Sequence, residues 1–241
     1  MATAHHVEAG SAASLETYAR LATTLALRLD ATISDPRHLP AVGRRSEDPV
    51  HAAMGEIEAN VLRAHGFKVA IDEPYRHYQF AGRADVVAWS ETERRLLHLE
   101  NRTRFPNLQE AVGAFNAKRA YLGPAIAERL HLPAWRSETH VIVVAWTGEA
   151  LRDIRRYDAS IRSTCPDPPT GFDGWWNGDP PAVGRRSELV VFDPARIVGR
   201  RMPRWVDLDR ALAAPPRHRG YAALAGALGA GRGQPGIGAS R

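Results

Sequence analysis

The sequence predicts an α/β domain in which helices flank a mixed central sheet. From Val50 onward, the predicted elements run in the order helix, strand, strand, strand, helix, strand, helix, strand. The segment Thr139–Trp146 is an unbroken apolar run, which is typical of a strand buried on both faces. The segment Gly82–Arg102 contains two short strand-like runs separated by the polar cluster Ser90–Arg94, which predicts a tight hairpin.

Before the hairpin, we predict two helices and an edge strand. The stretch Ser14–Asp30 carries an apolar stripe at helical spacing and precedes a proline-containing loop. Val50–His65 is the next predicted helix, and Gly66 suits its carboxyl-terminal cap. Phe67–Phe80 indicates one or two edge strands, because Pro74 cannot donate a hydrogen bond within a central strand.

After the hairpin, the pattern changes from periodic elements to an irregular tail. Asn107–Leu130 predicts a helix, Cys165–Pro181 a loop rich in Pro, Gly and Trp, and Ser187–Asp193 a last strand. Beyond Ala211, the composition of Gly, Ala, Pro and Arg predicts disorder. The predicted organisation is therefore an N-terminal helix and linker over residues 1–49, an α/β core over residues 50–193 and a basic, largely disordered extension over residues 194–241.

Composition narrows the class of protein. The chain has 241 residues, of which 44% are hydrophobic, enough for a core. The single cysteine, Cys165, excludes an internal disulfide framework and a cysteine-based zinc site. No run of about 18 apolar residues occurs, and Met1–Gly10 lacks the apolar segment of a signal peptide. We therefore expect a cytoplasmic protein with no membrane segment.

The positive charge is concentrated near the C-terminus. The formal net charge is +5, yet residues 185–241 alone carry 11 arginines and 4 acidic residues. A basic segment of this kind is typical of an extension that faces nucleic acid. A general preference for arginine is the alternative explanation, because Lys68 and Lys118 are the only lysines of the chain.

A regular hairpin would bring two carboxylates together. If Thr92 and Glu93 lie at its centre, opposed residues have numbers that sum to 185, so Asp85 lies across from Glu100. Opposed side chains on one face have Cβ atoms roughly 5 Å apart. Two such carboxylates repel each other unless a cation lies between them, and hard oxygen ligands suit Mg²⁺. Arg102 follows on the same face, because strand side chains alternate with period two.

The run Gly82–Asp85, a turn, and the run ending in Glu100–Arg102 resemble the motif of the PD-(D/E)XK nuclease superfamily. The resemblance implies a restriction-endonuclease-like αβββαβ core, in which Asp85 and Glu100 hold Mg²⁺ or Mn²⁺. The sequence departs from the motif at Arg102, where the superfamily has lysine. Arginine is not equivalent to lysine there, because its guanidinium is forked and permanently charged.

The resemblance also implies roles for residues outside the hairpin. In some members the lysine lies on the following helix, which makes Lys118 a candidate catalytic residue together with Arg102. The first core helix often supplies another acid, for which Glu58 and Glu56 are both candidates. Trp175 and Trp176 in the predicted loop either stack on bases or cover an edge of the core. Nucleic-acid contacts are predicted for four arginines, namely Arg83, Arg104, Arg200 and Arg201.

Two functions remain open from the sequence. The first is a metal-dependent nuclease that cleaves phosphodiester bonds of DNA with a metal-activated water, which the intact pair of Asp85 and Glu100 favours. The second is a nuclease-like module without cleavage that binds DNA or a protein partner in a regulatory role, which Arg102 favours. A purely structural α/β domain would leave the carboxylate pair unexplained. Nucleases that cut both strands are often dimers, and Ser14–Asp30 is the candidate interface of a homodimer.

Overall fold

The structure is a computed structural model that describes residues 23–24, 48–77, 80–196 and 203–232. The chain divides into two units, Met1–Arg45 and Ser46–Arg241, and all the elements that follow belong to the second unit. Residues 23–24 are helical, and the rest of the predicted helix Ser14–Asp30 lies outside the described residues. Within the described part of the chain, no helix has both the length and the apolar character needed to cross a membrane.

Six strands and seven helices are present within the described residues of the second unit. The strands are β1 (Lys68–His77), β2 (Phe80–Ser90), β3 (Arg95–Arg102), β4 (Ser137–Ala145), β5 (Gly184–Phe192) and β6 (Trp205–Asp207). The helices are α1 (Pro49–Ala64), α2 (Leu108–Arg129), α3 (Gly148–Arg156), α4 (Asp158–Thr164), α5 (Thr170–Trp176), α6 (Leu208–Ala213) and α7 (Tyr221–Arg232). The protein is therefore an α/β protein, as the sequence predicts.

The six strands form one mixed, open sheet in the order β1-β2-β3-β4-β5-β6. The first three strands pair as an antiparallel meander, β3, β4 and β5 are parallel, and β6 is antiparallel to β5. Parallel neighbours need a crossover, which α2 supplies between β3 and β4, and α3 to α5 supply between β4 and β5. The carboxyl ends of the three parallel strands consequently lie at one edge of the sheet.

Helices α1 and α2 cover opposite faces of the sheet. Helix α1 packs in an apolar cluster with Val86 and Leu97. Helix α2 packs in another cluster with Val87 and Leu96. Because successive side chains of a strand point to opposite faces, these two clusters lie on the two sides of the same strands.

Side chains cap the N-termini of α1 and α2. Helix α1 begins after Asp48, whose carboxylate accepts hydrogen bonds from two backbone N–H groups of the first turn, and Pro49 occupies the first helical position. Helix α2 begins after Asn107, whose side chain accepts a hydrogen bond from the backbone N–H of Glu110. The hydroxyl of Thr103, just after β3, donates a 2.9 Å hydrogen bond to Asp48 and holds the N-terminus of α1 beside the end of this strand.

The loop predicted over Cys165–Pro181 contains helix α5. Within this helix, Trp175 is fully buried and its indole N–H donates to the hydroxyl of Thr139 at 3.3 Å. Trp176 is only partly buried. Of the two roles considered for this tryptophan pair, Trp175 therefore has the core role, whereas Trp176 keeps accessible surface.

The prediction of disorder beyond Ala211 is wrong for the described residues of this segment, because they contain helix α7. Leu224 of α7 is fully buried in the apolar cluster that also contains α1. The hydroxyl of Tyr221 donates a 2.6 Å hydrogen bond to the carboxylate of Asp48. A segment rich in Gly and Ala carries little sequence pattern that predicts a helix. Here tertiary packing of one apolar side stabilises the helix.

Candidate functional site

Strands β2 and β3 pair in the register that the sequence predicts. Val86 lies opposite Leu99, and Ser90 lies opposite Arg95, so the numbers of opposed residues sum to 185. The prediction of the hairpin and of its centre is confirmed.

The regular alternation of side chains breaks at Asp85. The pairing of β1 with β2 skips Asp72 and Asp85, and Asp72 has a left-handed φ of 55°. Ala84 packs in the same cluster as Val87, whereas Val86 packs on the other face. In a regular strand, Ala84 and Val86 would share a face. The irregular backbone at Asp72 and Asp85 therefore changes the direction of the Asp85 side chain.

Asp85 and Glu100 contact helices on opposite faces of the sheet. Asp85 Oδ2 accepts a 2.7 Å hydrogen bond from the backbone N–H of Asn101, and Asp85 Oδ1 lies 3.5 Å from His51 Nε2 on α1. Glu100 instead contacts Lys118 on α2. The expectation that Asp85 and Glu100 lie side by side on one face is therefore not met, because the alternation breaks at Asp85.

Glu100 is a fully buried carboxylate surrounded by donors. Glu100 Oε1 accepts from His98 Nε2 at 3.0 Å and from Lys118 Nζ at 2.5 Å, and Oε2 accepts from Arg102 Nη2 at 3.0 Å. Burial alone would raise the pKa of Glu100, but the hydrogen bond from His98 and the charges of His98, Lys118 and Arg102 hold it below its ordinary value. Glu100 is therefore ionised at neutral pH, and two predicted catalytic cations converge on it.

Glu58 lies behind Asp85, in the interior. Its Oε2 accepts a 2.9 Å hydrogen bond from Asn101 Nδ2, while Glu58 Oε1 and Asn101 Oδ1 are buried without a hydrogen-bond partner within the described residues. Burial raises the pKa of Glu58, the hydrogen bond from Asn101 lowers it and the charge of Asp85 raises it, so that the pKa is about 8. Glu58 is therefore neutral at pH 7. Of the two candidate acids on α1, Glu56 is exposed and Glu58 adjoins the site.

His51 is a site residue that the sequence did not single out. It lies in the first turn of α1, and its position follows from the cap at Asp48, which holds this turn beside Asp85. The hydrogen bond to Asp85 raises the pKa of His51, burial and the charge of Arg102 lower it, and the charges of Asp85 and Asp48 raise it. The charge of Arg102 thus acts on the groups around both carboxylates. No short sequence motif marks His51, because its role depends on the approach of α1 to β2.

A second histidine contact was also not predicted. Nδ1 of His98 lies 3.3 Å from Nδ1 of His140, which is opposite it on β4. His140 Nε2 lies 3.2 Å from Glu138, which pairs with Arg185 at 2.8 Å. Burial lowers the pKa of His140 to about 4. His140 is therefore neutral at pH 7, and the two facing ring nitrogens can share only one proton.

Two of the four arginines predicted to contact nucleic acid lie within the described residues, and each contacts a different part of the chain. Arg83 donates to Asp72 at 2.5 Å, and the guanidinium of Arg104 lies 4.6 Å from the centre of the Tyr221 ring. Both side chains thus have partners within the chain. The other two predicted residues, Arg200 and Arg201, lie outside the described residues.

The site offers oxygen atoms that could bind a metal ion. Among the residues that the structure describes, no three His, Cys, Asp or Glu side chains are gathered as metal ligands. Mg²⁺ retains several waters and is commonly held by one or two carboxylates rather than by a complete protein cage. The carboxylates of Asp85 and Glu100, with the unpartnered oxygens of Glu58 and Asn101 behind them, fit this mode of binding in their chemistry.

No family model matches this chain, and no curated protein is significantly similar to it.

Proposed function

We propose that this chain is a metal-dependent nuclease of the restriction-endonuclease-like type, which cleaves phosphodiester bonds in DNA. The observation that carries the proposal is the 2.5 Å contact between Lys118 Nζ and Glu100 Oε1. Strand β3 has Arg102 where the superfamily has lysine, and the only lysine on α2 reaches the same carboxylate from the facing helix. This arrangement supports a site in which the lysine has moved from the strand to the helix.

The order and direction of the elements also support the proposal. An αβββαβ core requires a helix, an antiparallel meander, a second helix and a fourth strand. Helix α1, strands β1 to β3, helix α2 and strand β4 follow this order, and β4 lies beside β3 in parallel. Fold alone does not establish activity, which depends on the residues at the end of β3.

The residues of the chain have distinct roles in this proposal. Asp85 and Glu100 would hold Mg²⁺ or Mn²⁺ once one of the two side chains has turned so that both carboxylates face the same ion. The metal ion, when bound, would lower the pKa of a water molecule and polarise the scissile phosphate. Lys118 and Arg102 stabilise the negative charge that develops on the phosphate. The negative charges of Asp85 and Glu100 cancel the positive charges of Lys118 and Arg102 before any ligand binds. A metal ion and a phosphate group that bind together therefore keep the site close to neutral. Glu58, neutral and buried, acts only by orienting Asn101.

A second candidate function has its own supporting observation. Both oxygens of Glu100 are hydrogen-bonded to cationic groups of the protein, so that its charge is neutralised without a metal ion. This geometry suits a nuclease-like module that binds DNA or a protein partner in a regulatory role and does not cleave.

Metal binding and cleavage decide between the two candidates. Calorimetric titration of Mg²⁺ and Mn²⁺ into the protein, with and without a DNA oligonucleotide, would be compared with Asp85→Ala. Cleavage of plasmid DNA, single-stranded DNA and RNA would then be measured for Lys118→Met and Lys68→Met. Lys68 is the matched control, because it is the only other lysine and forms an exposed ion pair with Glu91 in the turn after β2. We expect Lys118→Met to lose about 100-fold or more of the cleavage rate, as loss of a charge-stabilising donor does, and Lys68→Met to retain it.

Three results would argue against the nuclease. No metal binding in the presence of DNA, together with no cleavage, would exclude it. DNA binding that is unchanged or tighter in Glu100→Gln, with no cleavage by either form, would support the second candidate. Equal losses of activity in Lys118→Met and Lys68→Met would show that the lysine contact is not specific to catalysis.

A further inference from the structure

A pocket lined by tryptophan and arginine lies at the β6 edge of the sheet. Its volume is about 580 Å³, which is within the usual range for small-molecule and nucleotide sites. Helix α5, strand β6 and helix α6 form its walls. Its lining carries three arginines against two aspartates and two tryptophans, namely Arg196, Arg204, Arg210, Asp173, Asp207, Trp176 and Trp205.

The two indole rings of the pocket pack against buried phenylalanine rings. The ring of Trp205 lies 5.1 Å from that of Phe172 at an angle of 83°, and the ring of Trp176 lies 5.5 Å from Phe172 and 5.8 Å from Phe192. Phe172 and Phe192 are buried, whereas both tryptophans keep accessible surface. A pre-oriented aromatic face with a free side is a platform on which a nucleobase stacks.

Guanidinium groups surround this platform. Arg204 is fixed by hydrogen bonds to the carbonyl oxygens of Pro194 and Arg196 at 3.2 and 2.8 Å, and Arg196 Nε is buried without a hydrogen-bond partner within the described residues. Arg210 is exposed on α6. Arginine binds phosphate through paired N–H donors and also stacks on aromatic rings. The combination suits an anionic ligand that carries a flat ring.

The pocket lies at the same end of the sheet as the candidate site. Trp205 pairs with Phe192, which pairs with Ala145. Arg102 pairs with Val144, the residue before Ala145. The two positions are therefore level along the strands and three strands apart, about 14 Å at the usual strand spacing.

We propose that this pocket binds one nucleotide of a single-stranded nucleic acid, with the base stacked on Trp205 and Trp176 and the phosphate contacted by Arg210. A single strand is required, because a base within a duplex has no free face for an indole ring. The proposal goes beyond the carboxylate site and requires neither metal binding nor cleavage.

The test is the binding of a fluorescein-labelled oligothymidylate to the full chain in EDTA, measured by fluorescence anisotropy over a series of salt concentrations. We expect Trp205→Leu to weaken binding about ten-fold, as loss of one stacked base does. Arg210→Gln should weaken binding several-fold and make the slope of log K against log salt shallower by about 0.7, the value for one phosphate contact of a single strand. Arg152→Gln, at an exposed position on α3, is the matched control and should change neither quantity.

The salt slope distinguishes a phosphate contact from a general loss of folding. Thermal unfolding of each variant identifies misfolded protein, and Arg210→Gln remains informative if Trp205→Leu fails to fold, because Arg210 is exposed. Equal affinity and slope in wild type and Arg210→Gln would overturn the proposal, and so would binding of duplex in preference to single strands. Binding is measured in EDTA, where no metal-dependent cleavage takes place, so failure of the nuclease would leave this result unaffected.

Discussion

The buried carboxyl group of Glu58 makes the stability of the folded protein depend on pH. Its pKa is about 8 in the folded protein, against an ordinary value of 4.5. Between these pH values the unfolded chain is ionised at Glu58 while the folded protein keeps the proton. The stabilisation is therefore fully present below pH 4.5 and is lost as the pH rises to about 8. At about 1.36 kcal/mol for each pKa unit, the loss is at most about 5 kcal/mol.

Replacing Glu58 with glutamine removes this ionisation and keeps an acceptor for the Asn101 amide. We expect Glu58→Gln to be more stable than wild type at pH 8, by up to the same 5 kcal/mol or so, and to lose this advantage towards pH 4.5. The measurement is urea unfolding in EDTA at pH values from 5 to 8.5. Other titrating groups, including His140, contribute equally to both proteins and cancel in the difference.

The control is Glu56→Gln, which makes the same chemical change at an exposed position of the same helix. Its stability relative to wild type should vary little with pH. A stability difference for Glu58→Gln that is the same at pH 5 and pH 8 would refute the reasoning. It would mean that Glu58 is ionised in the folded protein.

Three further predictions concern the C-terminal helix and the cysteine. Tyr221→Phe should lower stability by about 1 kcal/mol, because it removes the hydrogen bond to Asp48; urea unfolding measures this, and the exposed Tyr157→Phe should have little effect. Leu224→Ala should cost about 2 to 5 kcal/mol in the same assay, as for other buried leucines, and a negligible cost would mean that α7 is not docked. Burial raises the pKa of the Cys165 thiol to about 12, so a thiol reagent at pH 8 should react slowly with native protein and rapidly in urea; equal rates would contradict its burial.

Several features of the structure follow from patterns between residues that are close together in the sequence. The register of β2 and β3 is set by the turn between them, because a hairpin places residues at equal distances from its centre opposite each other. Strand β4 is recognisable as a run of apolar residues, and Asn107 caps α2 through a bond to a residue three positions away. The position of Lys118 on the buried side of α2 follows from helical spacing.

Other features depend on elements that are distant in the chain. The direction of Asp85 changes because Asp72 adopts a left-handed conformation on the neighbouring strand, which no pattern within β2 indicates. His98 and His140 meet only because β3 and β4 pair in parallel in one particular register. Helix α7 is stabilised by contacts of Leu224 and Tyr221 with distant parts of the chain.

The sequence by itself therefore determined the class of the fold, the hairpin and the residue types at the end of β3. The tertiary structure decided which helix each carboxylate contacts, which cations neutralise Glu100 and which part of the C-terminal segment is folded. The physical reason is the range of the interactions. Turns, caps and amphipathic spacing act between residues a few positions apart, whereas burial, charge and sheet register depend on which distant elements pack together.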